Sequence, residues 1–140
     1  MHFINKSILS LALLLFLSAC DNKTFSKIYP NAPESIDVKT VTLLCIYPDV
    51  SKIVQEALKK SDFNIQATSK YSIKVDYMNY KKACNNPMTS AYDATYDGFI
   101  RLTLLKENRR IYYCQKDYRG ELSVSTIENL LTLMRDDLEF

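Results

Sequence analysis

"VKTVTLLCIYPDVSKIVQEALKK", residues 38–60, contains the change of period on which the fold turns. Val38 to Pro48 is rich in β-branched and apolar residues and stops at a proline, the composition of a strand. Val41, Leu43 and Cys45 alternate with Leu44 and Ile46, so both faces are apolar and the strand is expected inside a sheet. From Asp49 onwards the spacing becomes helical: Val50, Ile53, Val54, Ala57 and Leu58 fall on one face. Asp49 is expected to cap this helix, and Lys59 and Lys60 suit the negative end of its dipole.

Working outward, "KYSIKVDYMNY" (residues 70–80) alternates cleanly, with Tyr71, Ile73, Val75 and Tyr77 on one side and Ser72, Lys74 and Asp76 on the other. That is a half-buried strand. Residues 84–97, "CNNPMTSAYDATYD", hold turn formers without a period and predict a long loop. "GFIRLTLL", "KENR" and "RIYYCQKDY" then read as a β-hairpin. In the last segment, "STIENLLTLMRDDL", Ser125 and Glu128 have capping-box spacing, and Ile127, Leu130, Leu131, Met134 and Leu138 make an apolar stripe. The order is strand, helix, strand, strand, strand, helix. Two apolar helical stripes need one apolar sheet face. The expected fold is α+β: a two-layer sandwich with a four-stranded, mainly antiparallel sheet and two helices packed on one face. It forms a single domain over residues 37–140, without repeats, heptads or low-complexity tracts.

Upstream, positive charge at Lys6 (with His2 nearby) precedes an apolar run from Ile8 to Leu17, broken only by Ser10. Ten helical residues rise about 15 Å, roughly half a bilayer core, which suits a secretory signal better than a permanent span. The run ends in Leu17-Ser18-Ala19-Cys20, which resembles the lipobox of bacterial lipoproteins. The resemblance implies that residues 1–19 are a signal peptide and that Cys20 takes a diacylglycerol as a thioether. The chemistry requires a thiolate nucleophile at that position. Two or three acyl chains, at about 0.8 kcal/mol per buried methylene, fix a protein to a membrane. Membrane lipid is thus the first expected partner, with localisation in the bacterial cell envelope at the inner or outer membrane and the domain facing the periplasm. Asp21 leans toward the inner membrane by the rule of enteric bacteria. Residues 20–36, the lipidated Cys and "DNKTFSKIYPNAPESI", read as a flexible tether, polar and with Pro30 and Pro33, long enough to hold the domain tens of Å off the bilayer.

Export has a consequence for the cysteines, because a periplasm is oxidising. With Cys20 lipidated, Cys45, Cys84 and Cys114 allow three pairings. Cys45 sits among apolar residues and reads as a buried thiol, so Cys84–Cys114 is the preferred bridge. It would close a loop of ~30 residues and stabilise by about 3 kcal/mol.

Removing Lys6 with the signal leaves 17 basic and 16 acidic side chains, so the basic surplus of a nucleic-acid binder is missing. Lys59-Lys60, Lys81-Lys82 and Arg109-Arg110 read as solvated element ends. The lone histidine, His2, leaves with the signal, and with it any imidazole base or zinc ligand. Gly98 and Gly120, the two glycines, cannot make a phosphate-cradling loop. The pairs Asp93/Asp97 and Asp136/Asp137 read as solvated acids. No enzyme, cofactor or metal is therefore expected.

Ten tyrosines and no tryptophan stand out instead. Tyrosine gives large contact area at low entropy cost and keeps a polar tip. Tyr92, Asp93, Tyr96 and Asp97 are the candidate contact surface, with Asn85, Asn86 and Met88 beside them. The expected role is a non-catalytic interaction or assembly module with an envelope-protein partner. The alternative is a tethered inhibitor or ligand-binding module that inserts residues 84–97 into a target. In element order and size the domain is similar to the lipopolysaccharide-assembly lipoproteins of the outer-membrane translocon, and more loosely to penicillin-binding-protein activators. That resemblance implies helices packed on a sheet and carries no residue roles.

Overall fold

In the computed structural model, which describes residues 23–83 and 95–140, the first described element is a strand where a tether was expected. The elements are β1 (Thr24–Ile28), β2 (Thr40–Leu44), α1 (Pro48–Lys60), β3 (Asn64–Ile65), β4 (Tyr71–Asn79), α2 (Tyr80–Ala83), β5 (Gly98–Lys106), β6 (Arg109–Tyr118) and α3 (Val124–Leu138). The class is α+β as expected, but the sheet has six strands rather than four, in the order β1-β6-β5-β4-β2-β3. β1, β6, β5 and β4 pair antiparallel, whereas β2 runs parallel to both β4 and β3. The two extra strands are the sheet margins. All five β1 side chains are exposed and β3 has only two residues, so neither buries enough to leave a sequence period.

α1 and α3 cover one sheet face. From α1 the buried residues are Val50, Val54, Ala57 and Leu58, and from α3 they are Ile127, Leu130, Leu131, Met134 and Leu138, the predicted stripe. They meet Ile73, Val75, Ile100, Leu102, Leu104 and Tyr112 from the sheet. Each large apolar side chain buried there contributes on the order of 2 kcal/mol from area alone. Ile36 and Val38 join this core, so it begins before the first predicted strand.

The helix ends differ from the sequence expectation in their caps. Tyr47 rather than Asp49 is the N-cap of α1, because Pro48 takes the first helical position, where its missing N–H costs nothing. Ser123, not Ser125, caps α3 by accepting from the Thr126 amide at 3.3 Å. α1 closes with Asp62 in the left-handed region (φ 59°), its N–H on the Lys59 carbonyl and the Phe63 N–H on the Leu58 carbonyl. Those two bonds form a Schellman motif, and Leu58 and Phe63, at the positions of its apolar pair, are both buried. The motif turns the chain straight into β3. The Arg135 guanidinium donates to the Ser61 carbonyl and lies 4.8 Å from the Phe63 ring centroid, which ties α3 to the end of α1.

The β5–β6 turn sets Glu107 (φ 50°) and Asn108 (φ 66°) in the left-handed region, the two-residue geometry that matches strand twist. Beyond it the register shifts between Leu104 and Leu105, so Leu104 pairs with Tyr112 while Leu105 pairs with Arg110. This bulge puts Ile111 and Tyr112 both inside. The Tyr112 hydroxyl donates to Asp137 at 2.8 Å, joining β6 to the last turn of α3.

Gly98 opens β5 opposite Tyr118. A Cβ there would strike the Met78 carbonyl oxygen and stand 2.6 Å from the Tyr118 hydroxyl. Gly98→Ala is therefore expected to cost about 3 kcal/mol, since the Met78 carbonyl is backbone and cannot move without breaking the β4–β5 ladder. Urea unfolding of this variant and of Gly120→Ala tests it. Gly120 (φ 74°) has open space around it, so its variant should lose only about 1 kcal/mol.

Candidate functional site: the uncovered sheet face

Helices cover one side of the sheet, and cross-strand rows of side chains make up the other. One row runs Lys27, Tyr113, Thr103, Lys74, Leu44 across five strands. The next runs Phe25, Gln115, Arg101, Asp76, and a third runs Asp117, Phe99, Met78. The alternation of β4, β5 and β6 sends these residues outward because Ile73, Val75, Ile100, Leu102, Tyr112 and Cys114 point inward.

Arg101 organises the centre. Its Nε and Nη2 donate to Gln115 Oε1 at 3.0 and 2.7 Å, and Gln115 Nε2 donates to Asp117 Oδ1 at 3.0 Å. The guanidinium carbon stands 5.0 Å from the Tyr113 ring centroid, and Tyr29 lies against Tyr113 at 6.2 Å. Lys74 and Asp76 pair at 3.0 Å in the neighbouring strand. Apolar groups surround this polar centre, with Phe25 and Leu44 at 48 % and 43 % exposure. The side chains are held by one another before anything binds, and that lowers the ordering cost of an interface. Arg and Tyr are also the residue types in which interface energy concentrates.

The residues predicted for contact have other places. Tyr92, Asp93, Asn85, Asn86 and Met88 lie outside the described residues, as do residues 84–94 of the expected loop. Tyr96 is 6 % exposed, and Lys23 and Arg119 stand 5.6 and 5.5 Å from its ring centroid. Asp97 belongs to a structural knot. Its N–H donates to the Tyr118 carbonyl, its carbonyl accepts from Tyr80, and its carboxylate takes Lys81 (2.9 Å) and the Gly120 amide. These donors, Lys81 first, hold the Asp97 carboxyl below the usual carboxylate range. Asp97 thereby fastens α2, the end of β6 and the turn before α3.

Cys20 and Cys84 also lie outside the described residues. Cys114, expected to pair with Cys84, is a free thiol with no exposure, its Sγ directed at the Leu130 carbonyl. The bulge turns it beneath α3, and burial pushes the thiol up to about 12, which leaves almost no thiolate at neutral pH. Cys45 is a half-buried free thiol. Among the described residues no group of three or more His, Cys, Asp or Glu is placed to hold a metal, and no helix is long and apolar enough to cross a membrane.

Sequence reading missed Arg101, Tyr113 and Gln115. Their signal was the alternation Phe99/Arg101/Thr103 against Tyr113/Gln115/Asp117, which identifies a shared face only once the bulge is known.

No family model matches the chain, and no curated protein matches it. Among solved structures, the chain is similar to a minor lipoprotein from Acinetobacter baumannii, at 14% identity and a TM-score of 0.33, over 74% of this chain and 86% of that one.

Asp97 gives this region a pH signature. A carboxyl with a depressed folded pKa stabilises above its unfolded value and loses that contribution as pH falls through the folded one. Asp97→Asn is therefore expected to lower Tm at pH 7, with the gap to the parent closing below about pH 4, near the ordinary carboxyl value of 3.8. Thermal melts of both proteins from pH 7 to pH 2 read this directly, and a gap constant across the range would contradict it.

Proposed function

We propose that this chain is a lipid-anchored envelope protein whose uncovered sheet face binds another envelope protein without chemistry of its own. The observation that carries the binding role is the Arg101 fork on Gln115, stacked on Tyr113, at the centre of a sheet face that no element among the described residues covers. A flat array of ordered polar groups with apolar margins fits a protein surface, whereas a small molecule needs a concave site. The anchoring role rests on Leu17-Ser18-Ala19-Cys20 at the end of the Ile8–Leu17 apolar run.

Both halves are open to experiment. Cys20→Ala should abolish incorporation of labelled palmitate and leave the precursor unprocessed; undiminished labelling refutes the anchor. A photo-crosslinking amino acid at Gln115 should give one discrete protein adduct in intact cells, and Arg101→Ala should weaken it about tenfold or more, as loss of a charged hot-spot contact does. The same probe at Glu56, exposed on α1, is the control. Equal adducts from both positions would remove the sheet face from consideration.

A further inference from the structure

The margin of the sheet at β2 carries a second feature, independent of the uncovered face. β3 pairs only with Thr40 and Val41. The Asn64 amide donates to the Lys39 carbonyl and the Gln66 amide to the Val41 carbonyl, so odd-numbered residues of this stretch direct their backbone groups to the outer edge. Thr42 and Leu44 direct theirs inward to β4. Side-chain alternation continues past the strand: Leu43, Cys45 and Tyr47 pack on the core while Leu44 and Ile46 are exposed, Ile46 at 84 %. The alternation and the extended Tyr47 backbone (φ −102°, ψ 106°) carry the strand direction past Leu44, where β2 ends, and among the described residues no strand pairs the outer N–H and C=O groups of Leu43 and Cys45. Beside it is a cavity of about 510 Å³ lined by Leu43 to Tyr47, Lys74 and Asp76.

The shape of this edge selects its occupant. β3 stands one strand outboard of Thr40–Val41, and α1 starts at Pro48, so residues 43–47 form a notch about 17 Å long and one strand, ~4.8 Å, deep. A second copy pairing β2 with β2 about Cys45 would bring its own residues 49 and 50, already in α1, against β3. A single extended chain has no such obstacle. Alternating backbone donors and acceptors are matched only by another extended backbone, and Leu44 and Ile46 ask for apolar side chains at alternate positions. Lys74 and Asp76 neutralise each other at 3.0 Å, which favours an uncharged segment.

We infer that the Leu43–Tyr47 edge accepts an extended, uncharged peptide segment of a partner protein as an added strand between β3 and the start of α1.

Backbone hydrogen exchange in the full chain, held in detergent and read by NMR, tests this with an acetylated and amidated pentapeptide alternating valine and threonine. Without peptide, the Leu43 and Cys45 amides should exchange fast while those of Thr42 and Leu44 are protected. Saturating peptide should slow Leu43 and Cys45 at least about tenfold, the worth of roughly one hydrogen bond. The same peptide N-methylated at its valines should not. Ile46→Lys should weaken peptide binding about tenfold, from lost apolar contact. Arg101→Ala should leave it unchanged, which separates this edge from the uncovered face. Four results would each overturn the inference: Leu43 and Cys45 already protected without peptide, no slowing at millimolar peptide, equal slowing by the N-methylated form, or protection that tracks protein concentration and dimer mass.

Discussion

A single extra residue in β6 decides which way half of this protein points. The Glu107–Asn108 turn pairs Lys106 with Arg109 and Leu105 with Arg110, and continuing that register would set Arg101 opposite Cys114. The bulge at Leu104/Leu105 advances β6 by one residue, and a slip of one reverses every later side chain. Tyr112, Cys114 and Tyr118 consequently go under the helices, and Tyr113, Gln115 and Asp117 go to solvent. The Tyr112–Asp137 bond, the inert Cys114 thiol and the Arg101–Gln115 fork all follow from that step. The bulge is stable because Ile111, the inserted residue, is itself buried against the core.

The two sheet faces are ordered by different forces. Under α1 and α3 the side chains are fixed by close packing, and Arg135 locks the helix pair by reaching the Ser61 carbonyl and the Phe63 ring. On the other face no element among the described residues forms a layer to pack against, so order comes from charge-assisted hydrogen bonds and ring contacts along cross-strand rows. Removing Arg101 would leave Gln115 its bond to Asp117 and Tyr113 its contact with Tyr29, while the hydrophobic layer beneath would barely notice. This separation lets the side chains of the exposed face change without endangering the fold.

What the sequence disclosed follows the same division. The α3 stripe was legible residue by residue, because a buried helix must repeat every 3.6 positions. β4 was legible because its alternation is strict from Tyr71 to Tyr77. β1 was not: a margin strand with five exposed side chains needs no apolar period, and its polar residues read as a tether. Ser123 and Tyr47 displaced the expected caps Ser125 and Asp49 because a proline and a three-residue offset, not residue preference alone, fixed the helix starts. The candidate site was hidden for a stronger reason. Tyr113, Gln115 and Arg101 were each visible as residues, but their meeting depends on the bulge, and no local spacing announces one inserted residue in a run as apolar as "RIYYCQ". Tyr96 differs in the opposite direction: its polar neighbours in the sequence implied exposure, whereas it is 6 % exposed, with Lys23 and Arg119 close to its ring.

The position of β1 also revises how an anchored domain would stand. Were residues 20–36 a free tether, the globule could roam tens of Å from its lipid. With β1 starting at Thr24, only four steps of chain separate it from Cys20, and an extended chain covers at most ~14 Å over that length. Acyl chains on Cys20 would therefore hold the β1 margin of the sheet close to the bilayer. β2 lies four strand spacings away across β6, β5 and β4, about 19 Å at ~4.8 Å each. The lipid end and the notch at Leu43–Tyr47 are thus at opposite margins of one stiff sheet. A lipid on Cys20 would sit within ~14 Å of β1, so the β2 margin would be the one farther from it.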